Sequence, residues 1–165
     1  MSTYERVAEL PVEIDSWSME GLSIKPAPDF ERLTTVIRIE GGGHAGLGED
    51  ITYEALDQIA LQDAGPVHDL TGPKTIGEFC ELIGSLDLFP SPPERETSRL
   101  YRRWAFESAA LDLALWQAGT SLAEFLARPL NPLTFVASMS LTGGDRKSTR
   151  LNSSHPVRSR MPSSA

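Results

Sequence analysis

Three glycines, in the pattern Gly41-x-Gly43-x-x-Gly46, have the spacing of the dinucleotide-binding fingerprint. In that fingerprint the third glycine opens a helix whose N-terminus receives the pyrophosphate. Here Leu47-Gly48-Glu49-Asp50 follows, and another glycine and two carboxylates oppose a phosphate-binding helix. The alternative is a β-hairpin whose glycines allow the positive φ angles of a tight turn. The pattern favours the hairpin.

The histidines and the cysteine do not predict a metal site. His44, His68 and His155 lie far apart along the chain, whereas zinc usually requires three or four convergent ligands. Cys80 is the only cysteine, which excludes an internal disulfide and a cysteine metal cluster. Its place in an apolar helical pattern favours a small buried side chain over a nucleophile.

Two acidic residues in a helical pattern also fail as a catalytic pair. Glu107 and Asp112 are five positions apart, which separates them by about 140° around a helix. We expect each to pair with Arg102, Arg103 or a neighbouring backbone group. The sequence therefore assigns no catalytic residue, no cofactor-binding residue and no metal ligand.

Composition predicts one ordinary domain. The 165 residues are 40% hydrophobic, which suffices for a sizeable core. The chain has no apolar run of membrane-spanning length, and residues 1–6 lack the basic start and apolar middle of a signal peptide. We therefore expect a cytoplasmic protein with no membrane partner.

The net charge of −8 combines two unlike segments. Residues 145–165 carry five basic residues against one aspartate, so residues 1–144 carry 10 basic and 22 acidic residues, a net charge of −12. Such an acidic body disfavours nucleic acid as a partner. The serine-rich tail could be a disordered arm for an anionic partner. Its segment RKSTRLNSSH is similar to translated vector or adapter sequence, and we favour a non-native origin.

The elements that would position these residues begin with three predicted strands. The first lies within residues 4–24, where Pro11 indicates an edge position or a break. A loop is predicted over residues 17–30, and the hairpin then pairs residues 35–39 with residues 44–49. The first-strand residues expected to face a core are Val7, Leu10, Val12 and Ile14.

Helical spacing follows the hairpin. Thr52 is predicted to cap a helix that buries Leu56, Ile59 and Ala60 and ends at Gly65-Pro66. Thr75 and Glu78 form a capping box for the next helix. The sequence Ser91-Pro92-Pro93-Glu94 predicts the start of a long helix that Gly119 ends. Its apolar face should contain Leu100, Trp104, Ser108, Leu111, Leu115 and Ala118, and a second face should contain Phe106, Ala110 and Leu113.

Two short elements complete the pattern. Ser121 and Glu124 predict a short capped helix through Leu126. Residues 133–141, LTFVASMSL, form an apolar run typical of a buried strand. This order predicts an α+β fold in which a three-stranded antiparallel meander precedes the helices.

Several of these segments together resemble one enzyme family. The hairpin end GLGED, the helix RRWAFESAALDLALWQAG, the short SLAEFLA and the strand TFVASMSL are similar to the N-terminal part of the enolase superfamily. The closer likeness is to its mandelate racemase and muconate lactonizing group, and it covers residues 4–141. It implies a capping domain over residues 1–132 and the first strand of a truncated (β/α)7β barrel over residues 133–144. Residues 145–165 would then be a disordered tail.

The resemblance implies a chemistry for the parent enzyme. Members of the family remove the proton α to a carboxylate, and Mg²⁺ stabilises the resulting enediolate in racemases, dehydratases and cycloisomerases. The catalytic side chains lie at the C-terminal ends of barrel strands, so this chain alone is expected to be inactive. The implied partners are a small carboxylate substrate and further copies of the parent in a homo-oligomer.

The resemblance also implies a substrate cap built from two segments. One corresponds to the loop from Trp17 to Phe30, whose apolar residues are either a lid or ordinary anchors. The other covers Asp50, Ile51, Thr52 and Tyr53. Tyr53 could present its hydroxyl group to a substrate, and Asp50 could bind a cationic group or simply help to start the helix.

A second hypothesis is a self-contained, non-catalytic α+β binding module that uses the same two segments. The strand at residues 134–141 distinguishes the two, because a complete module would pair it and a cut barrel would not. An unpaired apolar strand is a template for association. Under the first hypothesis we therefore expect the chain to self-associate through residues 133–141.

Overall fold

The computed structural model of the chain describes residues 2–135. Residues up to Leu130 form one compact unit, and residues 131–135 belong to a second unit and have no regular secondary structure. None of the described helices is long and apolar enough to cross a membrane. The elements are α1 (Thr3–Val7), β1 (Pro11–Ile14), β2 (Ser16–Ala27), β3 (Phe30–Gly41), β4 (His44–Asp50), α2 (Ala55–Ala64), β5 (Gly72–Thr75), α3 (Ile76–Ser85), α4 (Ser98–Gln117) and α5 (Leu122–Phe125).

The fold is α+β and contains the expected three-stranded antiparallel sheet. Strand β3 lies between β2 and β4, whereas β1 and β5 form a separate antiparallel pair. Along β3, Thr35, Ile37 and Ile39 are completely buried, because alternate side chains of a strand point to the same face. Helix α4 packs against β4 and β3. The core therefore lies between the sheet and the helices.

The fingerprint glycines form a hairpin, as predicted. Gly42 and Gly43 have φ angles of 57° and 79°, which glycine adopts at no steric cost. Gly46 and Gly48 serve another purpose, because they lie where α4 crosses β4. A Cβ atom at Gly46 would lie 2.1 Å from the Ala109 carbonyl oxygen, and one at Gly48 would lie 2.0 Å from that of Ala105. These two glycines therefore let the helix backbone approach the strand backbone.

The prediction for the first strand is wrong in two respects. Val7 lies in α1, which begins with a capping box between Ser2 and Glu5, and β1 pairs with β5 instead of joining the meander. The burial prediction is confirmed, since Val7, Leu10, Val12 and Ile14 are all buried.

The loop predicted over residues 17–30 is also wrong, because most of it is strand β2. This strand pairs with β3 from Ser16 opposite Glu40 to Ala27 opposite Phe30, with an irregularity between Ile24 and Ala27. Pro26 lies within this irregularity. Because β2 is an edge strand, a proline there removes no ladder hydrogen bond that the sheet requires.

Helix α2 presents a different face to the core from the one predicted. Leu56 is 74% exposed and Ile59 is 42% exposed, whereas Gln58 is completely buried. The Gln58 amide nitrogen donates to the carbonyl oxygens of Asp50 and Thr52 at 2.9 and 3.1 Å. Thr52 is not the N-cap, because that position belongs to Glu54, which makes no side-chain cap bond.

Helix α4 begins at Ser98 instead of near Ser91, and the first of its two predicted apolar faces is partly exposed. Leu100 and Trp104 of the first predicted face are 51% and 52% exposed. The second predicted face, with Phe106, Ala110 and Leu113, is buried. Small residues on this inner face bring α4 close to the glycines of β4, which larger side chains would prevent.

The remaining helix signals are confirmed. Capping boxes join Thr75 to Glu78 at α3 and Ser121 to Glu124 at α5. Gly119 has a φ angle of 64° directly after the C-cap of α4, which is the usual conformation there. Of the strand predicted at 133–141, residues 136–141 lie outside the described part of the chain, as does the tail 145–165.

Candidate functional site

The candidate site is a cluster of three exposed side chains and one partly buried arginine at one end of the three-stranded sheet. Strand β3 begins there with Phe30 and Arg32, and the chain leaves β4 there through Ile51 and Tyr53 on its way to α2. We call these four residues the tip cluster. Phe30, Ile51 and Tyr53 are 38%, 47% and 58% exposed, so three large apolar or aromatic side chains meet solvent together.

Direct contacts order the tip cluster. The rings of Phe30 and Tyr53 stack with centroids 6.0 Å apart and planes inclined by 24°. The Arg32 guanidinium carbon lies 4.9 Å from the Tyr53 ring centroid, within range of a cation–π interaction. Arg32 Nη2 donates to the Ile51 carbonyl oxygen. The arginine thus ties the strand end to the segment before α2.

One polar atom of the tip cluster is left without a partner. Arg32 Nη1 is shielded from solvent and has no hydrogen-bond acceptor among the described residues. Buried donors are nearly always paired in native proteins. The guanidinium group therefore has hydrogen-bonding capacity that the described residues do not use.

Asp50 and Thr52 were expected to face the substrate as part of the substrate cap, but both are completely buried. Asp50 Oδ1 accepts hydrogen bonds from the Thr52 amide and hydroxyl groups at 2.9 and 2.6 Å. Its Oδ2 accepts from Arg102 Nε at 2.8 Å, and neither side chain of this ion pair is exposed. Asp50 therefore cannot contact a cationic substrate, and its partner is a residue of the long helix.

Arg102 uses its guanidinium group to join three segments. Besides Asp50, it donates to the carbonyl oxygens of Leu88 at 3.0 Å and Asp57 at 2.9 Å. The Phe89 ring lies 3.6 Å from the guanidinium carbon. Burial lowers the pKa of Arg102 from its usual value, against the opposing effect of the Asp50 charge. This network fixes the segment that carries Ile51 and Tyr53.

Trp17 lies away from the tip cluster, because it pairs with Ile39 near the opposite end of β2. Its indole nitrogen donates to the His68 carbonyl oxygen at 2.8 Å, and its ring packs edge-on against Phe106 at 5.2 Å. The indole lines a mainly apolar cleft of about 270 Å³ beside α2. Trp17 is therefore an anchor, whereas Phe30, at the other end of the predicted first segment, belongs to the tip cluster.

The other charged candidates have structural partners. Glu107 pairs with Arg103 at 2.6 Å, and Asp112 accepts a hydrogen bond from the Leu47 amide at 3.0 Å, which confirms both expectations. Among residues 2–135, no group of three or more histidine, cysteine or acidic side chains could hold a metal ion. The resemblance places the catalytic side chains of the parent enzyme on barrel strands, not on these residues.

A known family matches most of this chain. A family model described as "Domain of unknown function (DUF8230) N-terminal domain" matches residues 5–125. The chain belongs to this family. The match to the DUF8230 N-terminal domain runs from α1 to the end of α5 and includes the whole tip cluster. No curated protein and no solved structure matches the chain.

Two residues of the DUF8230 N-terminal domain were missed by sequence reasoning. Arg102 had a usable signal, since it precedes Ala105 and Phe106 by three and four positions on the face that is buried, and a charge on such a face needs a partner. Arg32 had none, because a charged residue that alternates with apolar ones is ordinary in a half-exposed strand.

Proposed function

We propose that the described domain covers the substrate of an enzyme that acts on small carboxylates, with the tip cluster as its substrate-facing surface. The parent would be an enolase-superfamily enzyme of the mandelate racemase and muconate lactonizing type, which removes the proton α to the carboxylate. The observation that carries this proposal is the exposed Phe30–Tyr53 stack with the Arg32 guanidinium group against the Tyr53 ring.

The chemistry of the tip cluster suits such a substrate. The positive charge of the Arg32 guanidinium group attracts a carboxylate, and Nη1, which has no partner among the described residues, can donate to it once the side chain turns toward solvent. The Phe30 and Tyr53 rings supply apolar contact area, and the Tyr53 hydroxyl group can donate or accept a hydrogen bond. Binding pockets commonly combine apolar and aromatic walls with a few polar groups that orient the ligand.

The architecture is compatible with a capping role. A three-stranded antiparallel meander followed by helices is what the resemblance implies, and the family is described as an N-terminal domain. Such a description suits a domain that works with a following one. The described residues offer no group for Mg²⁺, so their role in the parent enzyme would be substrate contact only.

The first test concerns the parent's class. The genomic reading frame should continue beyond Gly144 and encode Lys-x-Lys followed by spaced Asp and Glu residues at strand ends. The protein it encodes should catalyse Mg²⁺-dependent incorporation of deuterium at the α carbon of a small carboxylic acid in D₂O, measured by NMR. The 165-residue chain should show none. A continued frame without those residues, or deuterium incorporation by the 165-residue chain, would contradict this assignment.

The second test concerns the tip cluster in that full-frame protein. Arg32→Met should lower kcat/KM by roughly tenfold to a hundredfold, because a hydrogen bond to a charged group contributes about 1.5–3 kcal/mol. The matched control is Arg38→Met, since Arg38 lies on the same face of β3, is half-exposed and pairs with Glu40. Equal effects of the two substitutions would remove Arg32 from the substrate surface.

A non-catalytic binding module remains the second candidate. It is favoured by the compact unit up to Leu130, which buries its own core. The module would use the same tip cluster to bind a partner. A full-frame protein with no proton exchange, combined with carboxylate-induced NMR shifts at Arg32 and Tyr53 in the 165-residue chain, would favour this candidate.

A further inference from the structure

The outer face of α4 is apolar although the described residues leave it largely uncovered. Leu100, Trp104, Ser108 and Leu111 follow one another at spacings of four, four and three, which places them on one face of a helix. We call them the outer stripe. Leu100 and Trp104 are about half exposed, and Leu111 is partly buried.

The opposite face of α4 is already fully used by the fold. Ala105, Phe106, Ala109, Ala110 and Leu113 are all at most 2% exposed and pack in the core. A helix with apolar side chains on two of its faces normally buries both of them. Since the described residues cover the inner face, the outer stripe has the composition of a surface that contacts another molecule.

The charges along α4 indicate what that molecule is. On the side of α4 that carries the outer stripe, the basic side chain of Arg103 lies one turn before the acidic side chain of Glu107, and within one chain these two side chains pair with each other. Two copies of this helix in antiparallel orientation would bring the basic part of one against the acidic part of the other. Antiparallel helices also align opposite ends of their dipoles. A parallel arrangement would oppose like charges.

We propose that the outer stripe of α4 pairs with the outer stripe of a second copy of this chain, in antiparallel orientation about a two-fold axis level with position 105, one residue beyond Trp104. In this register Leu100 faces Leu111 of the second copy, and Arg103 faces Glu107 of the second copy. Both contacts occur twice, as a two-fold interface requires. The two Trp104 rings lie at the centre, where aromatic residues contribute most to binding.

The surroundings of the stripe fit this register. Within one chain Arg103 Nε and Glu107 Oε1 are 2.6 Å apart, with side chains 40% and 22% exposed, so both can reach a second copy. A groove of about 170 Å³ between α3 and α4 is lined by Ile83, Leu86 and Leu100, and it can receive an apolar side chain. One helix per copy buries less than the roughly 800 Å² per partner of a standard interface, so we expect micromolar affinity.

The test measures the oligomeric state of the 165-residue chain by analytical ultracentrifugation from about 1 μM to 1 mM, a range that brackets a micromolar dissociation constant. The wild type should dimerise. Trp104→Glu should weaken the dimer roughly thirtyfold or more, as expected for a central aromatic residue. The matched control is Trp116→Glu, because Trp116 is 59% exposed on the same helix but lies off the stripe. Circular dichroism verifies that both variants fold.

A charge exchange tests the register itself. Arg103→Glu places two acidic residues in each copy, and Glu107→Arg places two basic residues in each copy, so neither variant should dimerise alone. Mixing the two variants should restore a heterodimer, detected by native mass spectrometry, because the glutamate introduced in one chain then faces the arginine introduced in the other. No interaction within one chain could produce this rescue.

Four outcomes would overturn the proposal: a wild type that is monomeric throughout the concentration range, equal effects of Trp104→Glu and Trp116→Glu, no heterodimer on mixing, or association removed by Val136→Lys and Met139→Lys but not by Trp104→Glu. The last would assign association to residues 133–141 instead of α4.

Discussion

Arg102 is the residue on which the positions of three segments depend. Its guanidinium group contacts Asp50 at the end of β4, the Asp57 carbonyl oxygen in α2 and the Leu88 carbonyl oxygen before α4. A buried ion pair often contributes little net stability relative to apolar residues of the same shape, but removal of one partner leaves an uncompensated charge. The pair therefore specifies geometry more than it adds stability.

Replacement of Arg102 by methionine should lower the free energy of unfolding by about 3–5 kcal/mol, because Asp50 then remains buried without its partner. Urea denaturation followed by circular dichroism measures the loss. Arg99→Met is the control, since the side chain of Arg99 is 39% exposed and pairs with Asp87 at the surface, where an ion pair contributes at most about 1 kcal/mol. A loss for Arg102→Met no larger than the control's would contradict the role assigned to this residue.

Cys80 gives the chain a measurable pH dependence. Burial raises the pKa of its thiol to about 11, with a smaller contribution from the negative charge of Glu107. Between the ordinary thiol value and 11 the folded state keeps a proton that the unfolded state has lost. The free energy of unfolding therefore falls as the pH rises through this interval.

Cys80→Ala should lack this pH dependence. The stability difference between wild type and variant, measured by urea denaturation at several pH values, should be constant below the ordinary thiol pKa and should narrow as the pH approaches 11. Other titrating groups cancel in the difference. If the difference in stability between the wild type and Cys80→Ala does not vary with pH, the Cys80 thiol is not shielded from solvent in the folded state.

At the scale of elements, the contact between β4 and α4 depends on the lack of side chains. Gly48→Ala should destabilise the chain by roughly 1–3 kcal/mol, because its Cβ would overlap the Ala105 carbonyl oxygen and α4 would have to move. Thermal denaturation measures this loss. Gly42→Asn is the control, because asparagine tolerates the positive φ angle of the hairpin turn and has space there. Equal melting temperatures for the two variants would refute the close contact.

In the helices, local sequence patterns predict where a helix begins better than they predict which of its faces is buried. The capping boxes at Thr75 and Ser121 were found because they depend on residues three positions apart. The sequence predicts two apolar faces on α4, because Leu100 and Trp104 have the same helical spacing as the residues of the face that is buried. Which face is buried depends on the glycines of β4, and no local pattern contains that information.

The candidate site was predictable to a similar extent. The family resemblance implies two cap segments that contain Phe30 and Tyr53, and the structure brings the rings of these two residues together. It could not separate Ile51 and Tyr53, which point outward, from Asp50 and Thr52, which are buried. That separation is imposed by Arg102, which lies 52 residues beyond Asp50 in the chain.

At the scale of the whole molecule, we predict that the basic segment does not contribute to folding. Residues 145–165 have no apolar periodicity with which to join a core. Deletion of these residues should therefore leave the melting temperature unchanged and solubility unchanged or improved, as measured by calorimetry and by the soluble fraction. A melting temperature lower by several degrees would show that the segment packs.

The strand order also sets the sequence of events in folding. Strands β2, β3 and β4 follow one another along the chain, whereas β1 pairs with β5 across residues 15 to 71. Contacts between distant segments form late, because more of the chain must be ordered before they are gained. In stopped-flow experiments Ile37→Ala in β3 should slow refolding, whereas Val12→Ala in β1 should mainly accelerate unfolding. The pair that joins the first described strand to the last would thus be the first to open, which makes it the point where the native state is kinetically most vulnerable.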